Sequence, residues 1–231
     1  MTTPPTLVLD LDGTLVDTAP DLAAAMNVLL DRRGRRRLDL AEVRRSVGRG
    51  AIELMRAAMA KTGTPASDTD LARMLEEFID HYGANIAVAS RPFPGAVAAL
   101  DRFAAAGWAL AVCTNKPEGL TLMLLDALGL TPRFAAILGA DTLEVRKPDP
   151  RHLTETVARA GGRVDAAIMV GDSVTDVDTA RAAGIAVVGV SFGYTPTPMV
   201  DLGPDRLINH FDELFAAATE LLEPAPAIAR D

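Results

Sequence analysis

The stretch LVLDLDGTLVDT, residues 7–18, opens with an apolar run and then places Asp10 and Asp12 two residues apart. A strand alternates its faces, so side chains two apart share one side, and the two carboxylates are expected within several ångströms of each other. One acidic residue at a strand end is ordinary turn chemistry, whereas two on one face repel. A cation, a shared proton or a reaction between them makes such a pair tolerable.

Outward from this stretch the pattern of a short apolar run followed by a polar end recurs. TLVLDLD (6–12) is followed by WALAVCTNK (108–116), AAILGAD (135–141), AAIMVGDS (166–173) and AVVGVSFG (186–193). Unbroken apolar runs of this length suit parallel strands covered on both faces. Between them PGAVAALDRFAAAG (94–107), PEGLTLMLLDALGL (117–130) and TDVDTARAAG (175–184) repeat apolar residues at helical spacing near glycine stops. Alternating strands and helices predict an α/β fold, a doubly wound parallel sheet with right-handed crossovers.

One interval departs from that rhythm. From about residue 17 to 91 there are three amphipathic helical patterns, DLAAAMNVLLDRRG (21–34), AIELMRAAMAKTG (51–63) and DLARMLEEFIDHYGANI (70–86), and no strand pattern. A single crossover needs one helix, so the interval is expected to be a small helical domain inserted after the first strand. The expected division is a core of residues 1–16 and 92–224, a helical insertion of 17–91, and a loose Pro/Ala-rich tail of 225–231.

Bulk composition narrows the partners. The chain has 231 residues, 49% hydrophobic and 23% charged, and a formal net charge of -8. An acidic balance argues against nucleic acid or an anionic membrane surface. The run Arg32-Arg33-Gly34-Arg35-Arg36-Arg37 is short and lies at a helix end, where cations are favourable, so it is expected to be solvated. A lone cysteine, Cys113, permits no internal disulfide and no cysteine-built metal site, as expected of a reducing cytoplasm. The start MTTPPTLVLDLDG has no basic segment and its apolar run is cut by Asp10, so no signal peptide is expected, and no run approaches transmembrane length. His81, His152 and His210 lack metal-ligand spacing, and no GxxxxGK[ST] loop is present.

Ligands of open α/β sheets collect at the carboxyl ends of the strands. There the sequence offers Asp10, Asp12 and Thr14 after the first strand, and Thr114, Asn115 and Lys116 after the second. Lys147 in RKPDP follows the third, and Gly171, Asp172 and Ser173 end the fourth, with Asp176 one helical turn on. Hard oxygen ligands suit Mg²⁺, which commonly bridges carboxylates to phosphate. Thr114, Lys147 and the N–H groups of the Asp12-Gly13-Thr14 turn are expected to hold phosphoryl oxygens. One carboxylate then attacks phosphorus while a second manages the proton.

The four motifs, DLDGT (10–14), Thr114-Asn115, Lys147 in RKPDP and GDSVTD (171–176), resemble in order those of the haloacid dehalogenase superfamily, its Mg²⁺-dependent phosphatases in particular. The resemblance implies that Asp10 is nucleophile and metal ligand, and that Asp12 is general acid/base and a ligand through its backbone carbonyl. It implies that Thr114, Asn115 and Lys147, with Gly13 and Thr14, bind phosphate. Asp172 binds the metal, Asp176 supports it, and the helical insertion is the family's cap.

Substrate choice then falls to the insertion. Gly48-Arg49-Gly50 precedes a helix, suiting an anion, and Arg49 could fork a carboxylate. The VGxGA pattern is similar to that of phosphoglycolate phosphatases; the plainer alternative is a helix-starting turn with a solvated Arg49. Haloacid dehalogenases do not carry the second aspartate, and phosphonoacetaldehyde hydrolases replace it and use an insertion lysine, whereas Lys61 here sits at a helix end as a structural cation. A β-phosphoglucomutase-like phosphotransferase, a pyrophosphatase or a nucleotidase remain as enzymatic alternatives, and a non-catalytic phosphate-binding regulatory module as another class. The expected partner is a small phosphorylated metabolite, bound by a monomer or homodimer.

Overall fold

The computed structural model describes residues 3–223, so the tail 225–231 and the core boundary at 224 lie outside the described residues. The first strand, β1 (Thr6–Leu9), is buried at every position. It is followed by β2 (Val16–Asp17) and four helices, α1 (Ala19–Arg32), α2 (Leu40–Arg44), α3 (Ala51–Thr62) and α4 (Asp68–Ala84), before β3 (Arg91–Pro92). Strict alternation resumes with α5 (Ala96–Ala105), β4 (Ala109–Cys113), α6 (Glu118–Ala127), β5 (Ala136–Leu138), α7 (Pro150–Arg159), β6 (Ala167–Gly171), α8 (Val174–Ala183) and β7 (Ala186–Val190). The short helix α9 (Met199–Leu202), β8 (Arg206–Ile208) and α10 (Leu214–Leu222) complete the described chain.

Six strands form one parallel sheet in the order β5-β4-β1-β6-β7-β8. The expected doubly wound α/β fold is present. β1 is central, with Leu7 aligned to Leu110 on β4 and to Ile168 on β6. Alternation sends Leu7 and Leu9 to a core shared with Phe103, Phe211 and Leu214, while Val8 joins Leu153, Val157, Val177 and Ala180 on the other side. Both faces of the sheet are therefore covered, which is why its strands read as continuous apolar runs.

Four short elements differ from expectation. β8 carries the exposed Arg206 and is only three residues long, so no apolar run announces it. The antiparallel pair β2–β3, in register at Val16↔Pro92 and Asp17↔Arg91, is too short for any period. The interval holds four helices rather than three. α2 has five residues, less than two turns, and its signal is the capping box: Glu42 N donates to Asp39 Oδ1 at 2.7 Å while Asp39 N donates to Glu42 Oε2 at 3.1 Å.

The arginine run is not simply solvated. Arg32 and Arg33 pair with Glu77 on α4, Arg36 with Glu42 and Arg37 with Asp31, and Arg35 donates to Met59 O and Thr64 O. Lys61 pairs with Glu42 at 3.5 Å. Asp21, in the first turn of α1, accepts hydrogen bonds from Ala89 N, Ser90 N and Ser90 Oγ at 2.7–3.0 Å, tying the outgoing chain to its return.

Candidate active site

The carboxyl ends of β1, β4 and β6 meet between the sheet and the helical interval. Asp10 N donates to Val170 O at 2.9 Å, and Thr114 N donates to Leu138 O at 3.0 Å, so the sheet ladder itself positions both residues. β1 has already ended at Leu9, and residues 11–16 form a tight turn in which Leu15 N and Val16 N donate to Leu11 O. The simple alternation expected for Asp10 and Asp12 therefore stops before either residue, and the two side chains go to different partners.

Asp10, Asp172 and Asp176 form the acidic cluster, each offering an oxygen within 4.8 Å of the others, and all three are buried. Asp172 accepts from Thr14 Oγ1 at 3.1 Å and from Tyr194 N at 2.6 Å. Asp176 accepts from Ser173 N, Ser173 Oγ and Lys147 Nζ, the last at 2.6 Å. Lys147 Nζ also lies 2.9 Å from Asp10 Oδ1, but at an angle that leaves this buried oxygen without a hydrogen bond. Three carboxylates against one ammonium leave an excess of two negative charges when all are ionised. Burial, opposed by Lys147 and reinforced by Asp176, pushes Asp10 up to about 6. Burial, then Asp176 and Asp10, holds Asp172 well above the carboxylate range. Lys147 is displaced upward, because Asp10 and Asp176 outweigh the effect of burial. Two buried acids driven toward protonation and an excess of two negative charges fit a divalent cation with oxygen ligands.

Asp12 is not in this cluster. Its carboxylate pairs with Lys116 Nζ at 3.1 and 3.3 Å. Lys116 also donates to Tyr82 Oη at 2.9 Å and lies 4.5 Å from the centre of the Tyr82 ring. Burial opposes its charge, yet Asp12 and Tyr82 hold the ammonium above the ordinary lysine range. Asp10, Asp12, Gly48, Gly50, Tyr82, Thr114, Asn115 and Lys116 line one cavity of about 40 Å³, whose remaining wall includes Leu22, Leu54, Phe78 and Leu120.

Other expected site residues fall as follows. The N–H groups of Gly13 and Thr14 are engaged within the turn, donating to Val16 O and Leu11 O, so they are not free for phosphate as expected. Among the described residues the N–H groups of Leu11 and Asp12 have no acceptor. Gly13 is required for another reason: it has φ +86°, and a Cβ there would lie 2.5 Å from Asp172 Oδ2. Asn115 Nδ2 donates to Lys147 O at 3.1 Å and to Gly48 O at 3.4 Å, while its buried Oδ1 has no partner. Arg49 is exposed and lines a separate cavity of about 250 Å³, with Arg45, Asp172 and Ser173, rather than the one containing Asp10 and Asp12.

Two contributions are only partly legible in the sequence: Lys116 stands among the groups at a strand end, and Gly193 and Tyr194, in the loop SFGYTPTP (191–198) after the last strand, are expected either to border the site or to belong to a plain Pro-rich loop. Lys116 is visible in TNK at a strand end, but its role depends on Tyr82, which reads only as another apolar position of α4. Tyr194 joins Asp172 to the insertion: its hydroxyl donates to Asp17 and accepts from Ala19 N at 3.0 Å, and Arg44 Nη2 donates to Asp17 at 3.0 Å. Gly193 permits this approach, since a Cβ there would collide with Asp172.

The comparisons agree with this geometry. The family model for haloacid dehalogenase-like hydrolases matches residues 4–184. Phosphoglycolate phosphatase of Mesorhizobium japonicum is 50% identical over 218 residues, covering 94% of this chain and 96% of that protein. The protein of the same name from Caulobacter vibrioides is 46% identical over 222 residues, covering 96% and 94%. A crystal structure described as a predicted phosphoglycolate phosphatase from Haemophilus somnus superposes with a TM-score of 0.86 at 30% identity, covering 94% of this chain and 98% of that one. The parallel sheet, the buried carboxylates at its strand ends and a match over most of the chain have one common explanation: this chain belongs to the haloacid dehalogenase-like hydrolases.

Proposed function

We propose that the protein is a Mg²⁺-dependent phosphomonoester hydrolase that acts on 2-phosphoglycolate in the cytoplasm through an aspartyl-phosphate. The observation that carries the reading is the division of labour at the end of β1. Asp10 sits in the cation-fitting cluster, while Asp12, two residues on, shares its cavity but answers to Lys116.

Asp10 and Asp172, with the backbone carbonyl of Asp12, would hold Mg²⁺, and Asp176 would steady the group through Ser173 and Lys147. When bound, the cation neutralises charge on Asp10 and on the phosphoryl oxygens. A carboxylate oxygen of Asp10 attacks phosphorus, the bond from phosphorus to the ester oxygen breaks, and Asp12 protonates the departing oxygen. In the second half Asp12 removes a proton from water, water attacks phosphorus, and Asp10 leaves as the free carboxylate. Thr114, Asn115, Lys147 and the unengaged N–H groups of Leu11 and Asp12 would receive phosphoryl oxygens, and Thr114 and Asn115 line the cavity with Asp10 and Asp12.

Two relatives, at 50% and 46% identity, are named phosphoglycolate phosphatase, which supports this choice of substrate.

Release of phosphate from 2-phosphoglycolate, glucose 1-phosphate and pyrophosphate, with Mg²⁺ and after chelation, tests the reading. Phosphoglycolate should give the highest kcat/KM, with turnover lost on chelation. Asp10→Asn should abolish turnover while its circular dichroism stays that of the wild type; a rate near wild type would end the assignment of nucleophile.

A further inference from the structure

The cavity beside Asp10 and Asp12 is lined by a single cationic side chain, Lys116, set among largely apolar walls. Lys116 is 5% exposed and held from two sides, by Asp12 on the turn after β1 and by the hydroxyl and ring of Tyr82 on α4. An ammonium fixed at the edge of a largely apolar cavity is a point of attraction for an anion, because apolar walls screen its charge less than bulk water does. We infer that Lys116, together with the Tyr82 hydroxyl, is the specificity determinant that receives the carboxylate of the substrate; Arg49 is exposed and lines a different cavity. The inference deepens the phosphoglycolate reading and rests on it.

Distances within the site agree. Asp12 must reach the ester oxygen of the substrate, and Lys116 Nζ stands 3.1 and 3.3 Å from the two Asp12 oxygens. In 2-phosphoglycolate each carboxylate oxygen is three bonds from the ester oxygen, about 3 Å away. A molecule with its ester oxygen at Asp12 therefore brings its carboxylate to Lys116 without stretching. Lys116 belongs to the sheet end and Tyr82 to the insertion, so a carboxylate between them would be read by both parts of the molecule. Arg49, by contrast, is exposed and faces the second cavity beyond Gly48.

The test compares 2-phosphoglycolate with ethyl phosphate, which replaces the carboxylate by a methyl group. For the wild-type protein with Mg²⁺, kcat/KM should favour phosphoglycolate by more than about 100-fold. Lys116→Met also releases Asp12, so both rates fall; the ratio between substrates is the readout. It should shrink by about 30-fold or more, with the larger part in KM. Arg49→Ala should leave the ratio within about threefold of wild type, as expected for an exposed charge outside the cavity. Where melting curves show that Lys116→Met does not fold, Tyr82→Phe, which keeps the ring, is read in the same way and should reduce the ratio about fivefold. A wild-type protein without preference would sink the substrate reading and this inference with it. A preference that survives in the folded Lys116→Met protein, or in Tyr82→Phe where that variant stands in, overturns the assignment to Lys116 and leaves the substrate reading intact. Loss of the preference in Arg49→Ala alone does the same.

Discussion

Asp10 and Asp12 carry the same side chain two positions apart and acquire different chemistry from their surroundings. Asp10 shares Lys147 with Asp176 beside a third buried acid, whereas Asp12 keeps a lysine of its own. His152 shows the same dependence on setting. It is fully buried, its Nε2 lies 3.0 Å from Gly139 O, and its Nδ1 faces Cys113 Sγ at 3.6 Å. Burial, with Lys147 nearby, holds the imidazole down to about 4 from 6.5. Between those values the unfolded chain binds a proton that the folded one refuses, so stability is full above 6.5 and falls as pH drops toward 4. Lowering pH from 7.5 to 5 should cost the wild type about 2 kcal/mol more than His152→Gln, measured by urea unfolding at both values. Equal losses in the two proteins would remove this histidine as the cause. The fate of such residues was only half legible: the spacing of His81, His152 and His210 argued against a metal role, but nothing in it set His152 apart from the other two or named the carbonyl and thiol that enclose it.

At the level of elements, the loop after β7 does more than close the sheet. Tyr194 binds Asp172 through its N–H and, through its hydroxyl, Asp17 and the start of α1, so one residue joins the acidic cluster to the point where the insertion departs. Tyr194→Phe keeps the ring and its contact with Phe93, but strands Ala19 N and one Asp17 oxygen. It should lower stability by about 1–3 kcal/mol in urea denaturation; an unchanged midpoint would mean that water replaces the hydroxyl at no cost. The longer core strands were legible as unbroken apolar runs and the longer helices by the spacing of their apolar residues. α2, β2, β3 and β8 were not, since two to five residues are too few to show either.

Across the whole molecule, the acidic cluster opposes folding until its charge is balanced, because it sets three buried carboxylates against one lysine. A divalent cation that binds only the folded chain should stabilise it by about 2.7 kcal/mol at 100 times its Kd. At this chain length that is a rise in Tm of about 5–10 °C. Asp172→Asn should abolish the Mg²⁺-dependent rise, yet melt no earlier than wild type without metal, because one repelling buried charge is gone. Differential scanning calorimetry with Mg²⁺ and with chelator checks both; a rise that persists in the variant would place the cation elsewhere.

By itself the sequence determined the alternation of strands and helices, the interruption after the first strand, and the set of groups at the strand ends. Those features depend on spacing along a few turns or a few strand residues, where periodicity and hydrogen bonding are local. Only the tertiary structure decided that Asp12 meets Lys116, 104 residues away, that Tyr194 reaches Asp17 across 177, and that Arg49 looks into the neighbouring cavity. Such pairings follow from strand register and from the seating of the insertion on the sheet, and no local period records either.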